Sequence, residues 1–199
     1  MPAPVLYYIR HGETAWNAEG RFQGGQDIPL NDRGRKQATA AGSILRDLLA
    51  RDGCGPQSLD YVCSPLGRAR VTMDLLRVSL DLPRDGYALD SRLREIAFGD
   101  WEGLTLAEMK LRDDVTYASR DADKWGTAAP AGETYAAVTL RIGEWYSALK
   151  TDTVAVAHGG TMRALLVATG IATPLEAADM RVEQGVVYVL AGGAMNKYG

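Results

Sequence analysis

Two short apolar runs, residues 5–10 and Thr153–Ala157, each lead into a histidine that is followed at once by glycine. The chain contains no other histidine. Both runs are β-branched or aromatic and too short for helices, so they read as buried strands. Amphipathic patterns stand between and around them. Asn31 can cap a helix over 32–50 whose apolar stripe is Ala38, Ala41, Ile44, Leu45, Leu48 and Leu49. A strand is expected over 59–63, a helix over 66–80, a short strand at 87–89 and a loop over 96–103. Helical patterns follow over 106–111, 115–125 and 134–150. A helix is expected over 161–170, then last strands at Val182 and 186–190. Residues 12–30 read as a loop with short helical turns, and 192–199 carry only a weak pattern.

Strands alternating with helices predict an α/β fold, a three-layer α/β/α sandwich with a mostly parallel, mixed central sheet. Ligands of such sheets lie beyond the carboxyl ends of the strands. That rule gathers Arg10 and His11, residues 64–68, and His158 at one edge.

The 199 residues suit one domain, expected to span 1–199 with a helical cap at about 96–132. The net charge is −3 at pH 7, which argues against a general footprint for nucleic acid. Cys54 and Cys63 lack metal-ligand or disulfide spacing, and Cys63 reads as a reduced core thiol. No leader or membrane span is apparent, so the expected address is the cytoplasm.

A histidine at a strand end beside a glycine suits anion chemistry, because a missing side chain lets backbone N–H groups approach the ligand. Phosphoryl transfer needs an in-line nucleophile, donors for the equatorial oxygens and an acid for the leaving oxygen. His11 can supply the nucleophile as a neutral imidazole. Arg10 and Arg68 can grip phosphate with planar forks. The start of the helix after Gly160 can add backbone N–H groups. Glu95, a carboxyl group before a glycine-rich loop, is the candidate acid, expected to have a raised pKa.

These residues resemble the histidine phosphatase superfamily, also called the phosphoglycerate mutase-like family. The resemblance runs in order through Arg10-His11-Gly12-Glu13-Thr14 with Trp16-Asn17, Phe22-Gln23-Gly24, Leu30-Asn31, Gly34 and Gln37-Ala38. It continues through Ser64-Pro65-Leu66 with Arg68-Ala69 and Thr72, Leu93-Arg94-Glu95, Phe98-Gly99-Asp100-Trp101-Glu102-Gly103, Gly132-Glu133-Thr134 and Val156-Ala157-His158-Gly159-Gly160. It implies that His11 is phosphorylated, that Arg10, Arg68 and His158 hold phosphate oxygens, and that Glu95 moves the proton. It assigns Asn17, Gln23 and the Gly159 N–H to the phosphate pocket, and implies no metal and no cofactor. Glu13 is expected to buttress the pocket, Glu133 to be a hydrogen-bond partner or a helix-end charge, and Phe98, Trp101 and Tyr135 to pack. Arg33, Arg35 and Lys36 read as a solvated helix face.

The implied partner is a small phosphorylated metabolite. Glu95 and His158 lie 63 positions apart, too few for the basic insertion of cofactor-dependent phosphoglycerate mutases. The residues 93–103 resemble broad-specificity and α-ribazole phosphatases, so a phosphomonoester phosphatase is expected over a mutase. A non-catalytic phospho-ligand binder is the third reading. The apolar last strands leave two arrangements open, a homodimer contact or a plain sheet edge.

Overall fold

The computed structural model describes residues 4–199. The first three residues, part of the segment read above for a leader, lie outside that range. The chain order is β1 (Leu6–Arg10), α1 (Ala15–Ala18), α2 (Asp32–Arg51), β2 (Asp60–Cys63), α3 (Gly67–Ser79) and β3 (Ala88–Leu89). Then come α4 (Leu106–Arg112), α5 (Asp114–Ala122), α6 (Tyr135–Ser147), β4 (Thr153–Ala157), α7 (Gly159–Ala168), α8 (Pro174–Asp179), β5 (Val187–Ala191) and β6 (Ala194–Tyr198).

The sheet order is β3-β2-β4-β1-β5-β6. The first four strands are parallel, and β5 and β6 run antiparallel to their neighbours. Alternation in β1 sets the layers, since successive side chains point to opposite faces. Tyr7 and Ile9 join Leu45, Leu49, Met73 and Leu76 of α2 and α3 in one core. Leu6 and Tyr8 join Val138, Ile142, Leu165 and Leu166 of α6 and α7 in the other. This is the α/β/α sandwich the sequence predicts. β1 and β4 lie side by side, Arg10 opposite Ala157, so His11 and His158 leave the sheet at the same edge.

Several boundaries differ from the sequence reading. The weakly patterned tail holds a strand, Ala194–Tyr198, because Gly192 and Gly193 both adopt positive φ, 58° and 77°, and close a two-residue hairpin from β5 into β6. β5 is therefore paired on both sides, and of these last strands only β6 lies at a sheet edge, opposite the β3 edge. Val182 is not a strand residue; it is buried beside the site and its carbonyl accepts a bond from Arg10 Nη1 at 2.7 Å. Helix α8 was not anticipated, although Thr173 and Glu176 form a capping box with Pro174 at the first helical position. Helix α7 begins at Gly159, two residues earlier than expected. Helix α3 has no side-chain cap of its own; Asp27, from the loop before α2, accepts from Gly67 N at 2.8 Å and Arg68 N at 3.3 Å. No helix among the described residues is long and apolar enough to cross a membrane.

The loop after β1 packs directly on the first turn of α2. A Cβ on Gly12 would collide with the Gly34 carbonyl, and one on Gly34 with the backbone of Glu13. Neither neighbour is a flexible side-chain tip, so Gly12→Ala is expected to cost roughly 1–3 kcal/mol, as overpacking does. Urea unfolding checks this, and an unchanged midpoint would contradict the close approach.

Candidate active site

Every candidate from the sequence except His158 lines one cavity of about 180 Å³: Arg10, His11, Asn17, Gln23, Arg68, Glu95 and Gly159. His158 stands just behind the wall, fully buried, its ring centroid 5.1 Å from that of His11.

Backbone contacts fix the state of His11. Its Nδ1 lies 2.7 Å from the Gly12 carbonyl oxygen. A carbonyl can only accept, so Nδ1 carries the proton. Nε2 then keeps its lone pair and accepts from Arg68 Nε at 3.3 Å. Burial, then the Arg68 and Arg10 charges, hold the imidazole pKa well below its ordinary value. His11 is thus a neutral ring with Nε2 as its basic nitrogen. Gly12 N in turn donates to Thr72 Oγ1 at 3.1 Å, and that hydroxyl donates to the Arg68 carbonyl at 2.8 Å.

Arg68 is 1% exposed. Its Nη2 donates to the Gly24 carbonyl at 2.8 Å and its Nη1 to that of Gln26. The guanidinium therefore ties the 23–27 loop to the nucleophile. Arg10 uses Nη1 on Val182, while its buried Nε has no protein partner. Gln23 Oε1 and His158 Nδ1 are likewise buried without a partner. Buried polar atoms are ordinarily hydrogen-bonded, so unsatisfied ones mark a site.

His158 is pinned at three atoms. Tyr8 OH donates to its carbonyl at 2.7 Å and accepts from its N–H at 3.1 Å. Its Nε2 lies 2.7 Å from Ser64 Oγ. Burial is again the main cause that pushes its pKa well down, with Arg68 next.

Glu95 corrects the expectation for the start of α7. Its carboxylate accepts from Gly160 N and Thr161 N at 3.2 Å each, and from Ile96 N at 3.1 Å. Those helix N–H groups are therefore spent on Glu95 rather than on an incoming anion. Gly160 has to be glycine, since a Cβ would meet the Glu95 carboxylate and Ile96. Asn17 closes a capping box with Thr14, and its Oδ1 accepts from Gln184 Nε2 at 3.0 Å. Glu13 accepts from Asn31 Nδ2 at 3.0 Å, the buttress anticipated for it. Glu133 holds Ala97 N at 2.9 Å and Arg141 at 3.2 Å.

The sequence reading missed Asp27, Arg163 and the contact between Ser64 and His158. Arg163 also lines the cavity and donates to Tyr135 OH at 3.2 Å. Its position one helical turn into α7 was the available signal. Among the described residues no three His, Cys, Asp or Glu side chains cluster as a metal site would need.

A neutral histidine with an unprotonated basic nitrogen, in a cavity lined by four arginines and one carboxylate, is chemistry for an anionic ester, and the fold places it at the ligand edge of the sheet. The sequence model of the histidine phosphatase superfamily (branch 1) matches residues 6–194, and the chain belongs to that superfamily. It is 34% identical to a glucosyl-3-phosphoglycerate phosphatase of Mycobacterium tuberculosis, over 83% of this chain and 74% of the relative. It is 28% identical to a 2,3-bisphosphoglycerate-dependent phosphoglycerate mutase of Gloeobacter violaceus, over 90% and 81%. The crystal structure of the α-ribazole phosphatase of Shigella flexneri superposes with a TM-score of 0.77 at 26% identity, covering 96% of this chain and 93% of that one.

Proposed function

We propose that this enzyme is a phosphomonoester phosphatase that works without a metal through a phosphohistidine on His11. One observation carries the reading: the Gly12 carbonyl holds the Nδ1 proton and leaves Nε2 as the nucleophile. In the first step the Nε2 lone pair attacks phosphorus, the P–O bond to the alcohol breaks, and Glu95 gives that oxygen a proton. In the second, Glu95 takes a proton from water, the water oxygen attacks phosphorus and the P–N bond breaks. Arg68 Nε, released from Nε2 as the P–N bond forms, turns to a phosphate oxygen. Arg10 Nε and Gly159 N–H meet the others, and Asn17 and Gln23 border the phosphate. His158, pinned behind them, offers Nδ1. Residues 96–132 act as the cap of a single domain spanning 1–199, over the leaving group.

Phosphate release from p-nitrophenyl phosphate in EDTA tests the reading; a protein that releases none, from this or any phosphomonoester offered, would overturn it. Glu95→Gln separates the acid from the rest. It is expected to slow an alkyl phosphate by about 10²–10⁴-fold and the nitrophenyl ester far less, because nitrophenolate leaves without a proton. Equal slowing of both would remove Glu95 from the acid role.

A further inference from the structure

The cavity at His11 does not end at the phosphate site. Phe22, Phe98, Tyr135 and Arg163 are shared with a second chamber of about 240 Å³ beneath α4 and α5. Together the two reach the size range of small-molecule sites, roughly 300–1,000 Å³. A group attached to a phosphate at His11 would pass between these rings into the chamber.

Five aromatic side chains, Phe22, Phe98, Trp101, Tyr117 and Tyr135, form part of the chamber wall. Trp125 stacks on Tyr135 with centroids 4.9 Å apart, and Trp101 tilts against Tyr117 at 6.4 Å. Flat, rigid walls of this kind suit a ring.

Arg120 of α5 stands among them, only 8% exposed. Its guanidinium lies over the rings of Phe98, 5.6 Å from the centroid, and Tyr135, at 5.9 Å. Its one hydrogen bond is a long one, Nη1 to the Lys124 carbonyl at 3.4 Å. Among the described residues no carboxylate forms an ion pair with it, although Asp121 also lines the chamber. The neighbouring cations are committed. Lys124 pairs with Asp179, and Arg163 donates to the Met180 carbonyl at 2.9 Å and to Tyr135 OH. A guanidinium carries five N–H donors, so most of those on Arg120 are unspent. Burial of a charge without a counter-ion costs several kcal/mol, and it pushes the Arg120 pKa down. Aromatic faces offset only part of that cost. None of the Arg120 nitrogens is among the buried atoms left without a partner, so the unspent donors reach accessible space, where an anion in the chamber can meet them.

We propose that the alcohol portion of the substrate is a flat ring bearing a second anionic group, a carboxylate or a further phosphate, which Arg120 binds. This rests on the phosphatase reading above, and adds to it the chemistry of the leaving group. Arg120 is a specificity residue: it touches the part of the substrate remote from the reacting phosphorus.

The test compares phenyl phosphate with 4-carboxyphenyl phosphate as substrates, and phenylphosphonate with 4-carboxyphenylphosphonate as non-hydrolysable ligands. Wild type, Arg120→Gln and Arg120→Lys are measured by phosphate release and by calorimetry. A hydrogen-bonded charge pair predicts a preference of about 10–100-fold for the carboxylated member in both kcat/KM and Kd. Arg120→Gln is expected to bring the ratio near one, and Arg120→Lys to restore part of it. A wild-type ratio near one in binding would overturn the proposal, as would a high ratio that survives in Arg120→Gln. Should Arg120→Gln fail to fold, the wild-type ratio and Arg120→Lys decide. If neither ester is hydrolysed but the carboxylated phosphonate binds tighter through Arg120, the anion site stands and the phosphatase reading falls.

Discussion

Replacing His11 by alanine is expected to abolish phosphate release, by at least about 10⁴-fold, while the protein keeps its fold. The loss is large because no other group in the cavity can stand in. His158 is fully buried behind the wall, with its Nε2 engaged by Ser64 Oγ. Glu95 is engaged by three backbone N–H groups. The same variant separates nucleophilic catalysis from direct attack by water. Wild type quenched during turnover of a ³²P-labelled ester should carry label that acid removes and alkali does not, as a P–N bond requires. His11→Ala should carry none. Label on the variant, or turnover within tenfold of wild type, would move the nucleophile elsewhere.

Acid should destabilise the protein in a window where few other groups titrate. Both imidazoles are held neutral, chiefly by burial, with folded pKa values well below the ordinary one. In the unfolded chain each histidine titrates near ~6.5. As pH falls below that, the unfolded state binds two protons that the folded state refuses. Stability is therefore complete above about pH 7 and falls on the acid side, since stability rises with pH wherever the unfolded state holds more protons. The slope is about 1.4 kcal/mol per pH unit for each histidine for as long as its folded form stays neutral, at most roughly 4 kcal/mol for the pair by pH 5. That is a large share of an ordinary domain's stability, about 5–15 kcal/mol. Carboxylates with depressed values, Asp90 beside Arg92 for example, add their own loss only at lower pH. Urea unfolding from pH 8 to pH 5 measures the slope, and His158→Gln should halve it. A flat wild-type curve over that range would mean that the imidazoles take up protons in the folded protein.

Much of the site was legible because covalent neighbours carry it. Arg10-His11-Gly12 and His158-Gly159-Gly160 each end a strand, and strand ends are local facts of sequence. The sheet order then brought them together by a general rule of α/β folds. Glu95 was legible as a carboxyl group before a glycine-rich loop and the resemblance gave it the proton, but what it does at rest was not legible. Its hold on the first turn of α7 joins residues 65 and 66 positions apart, and no pattern of spacing encodes such a contact. The same holds for Asp27, which caps a helix from 40 residues upstream. Helix α8 and strand β6 are different, because their signals were local and were passed over: a capping box with proline in one, a Gly-Gly hairpin in the other.

The sequence by itself determined the layers, the two histidines at the ligand edge and the family, since periodicity and contiguous motifs survive in one dimension. Only the tertiary structure decided the His11 tautomer, the withdrawal of His158 behind the cavity wall and the isolation of Arg120 among aromatic rings. Each depends on which polar atom meets which partner once water is excluded, and burial sets the strength of those contacts.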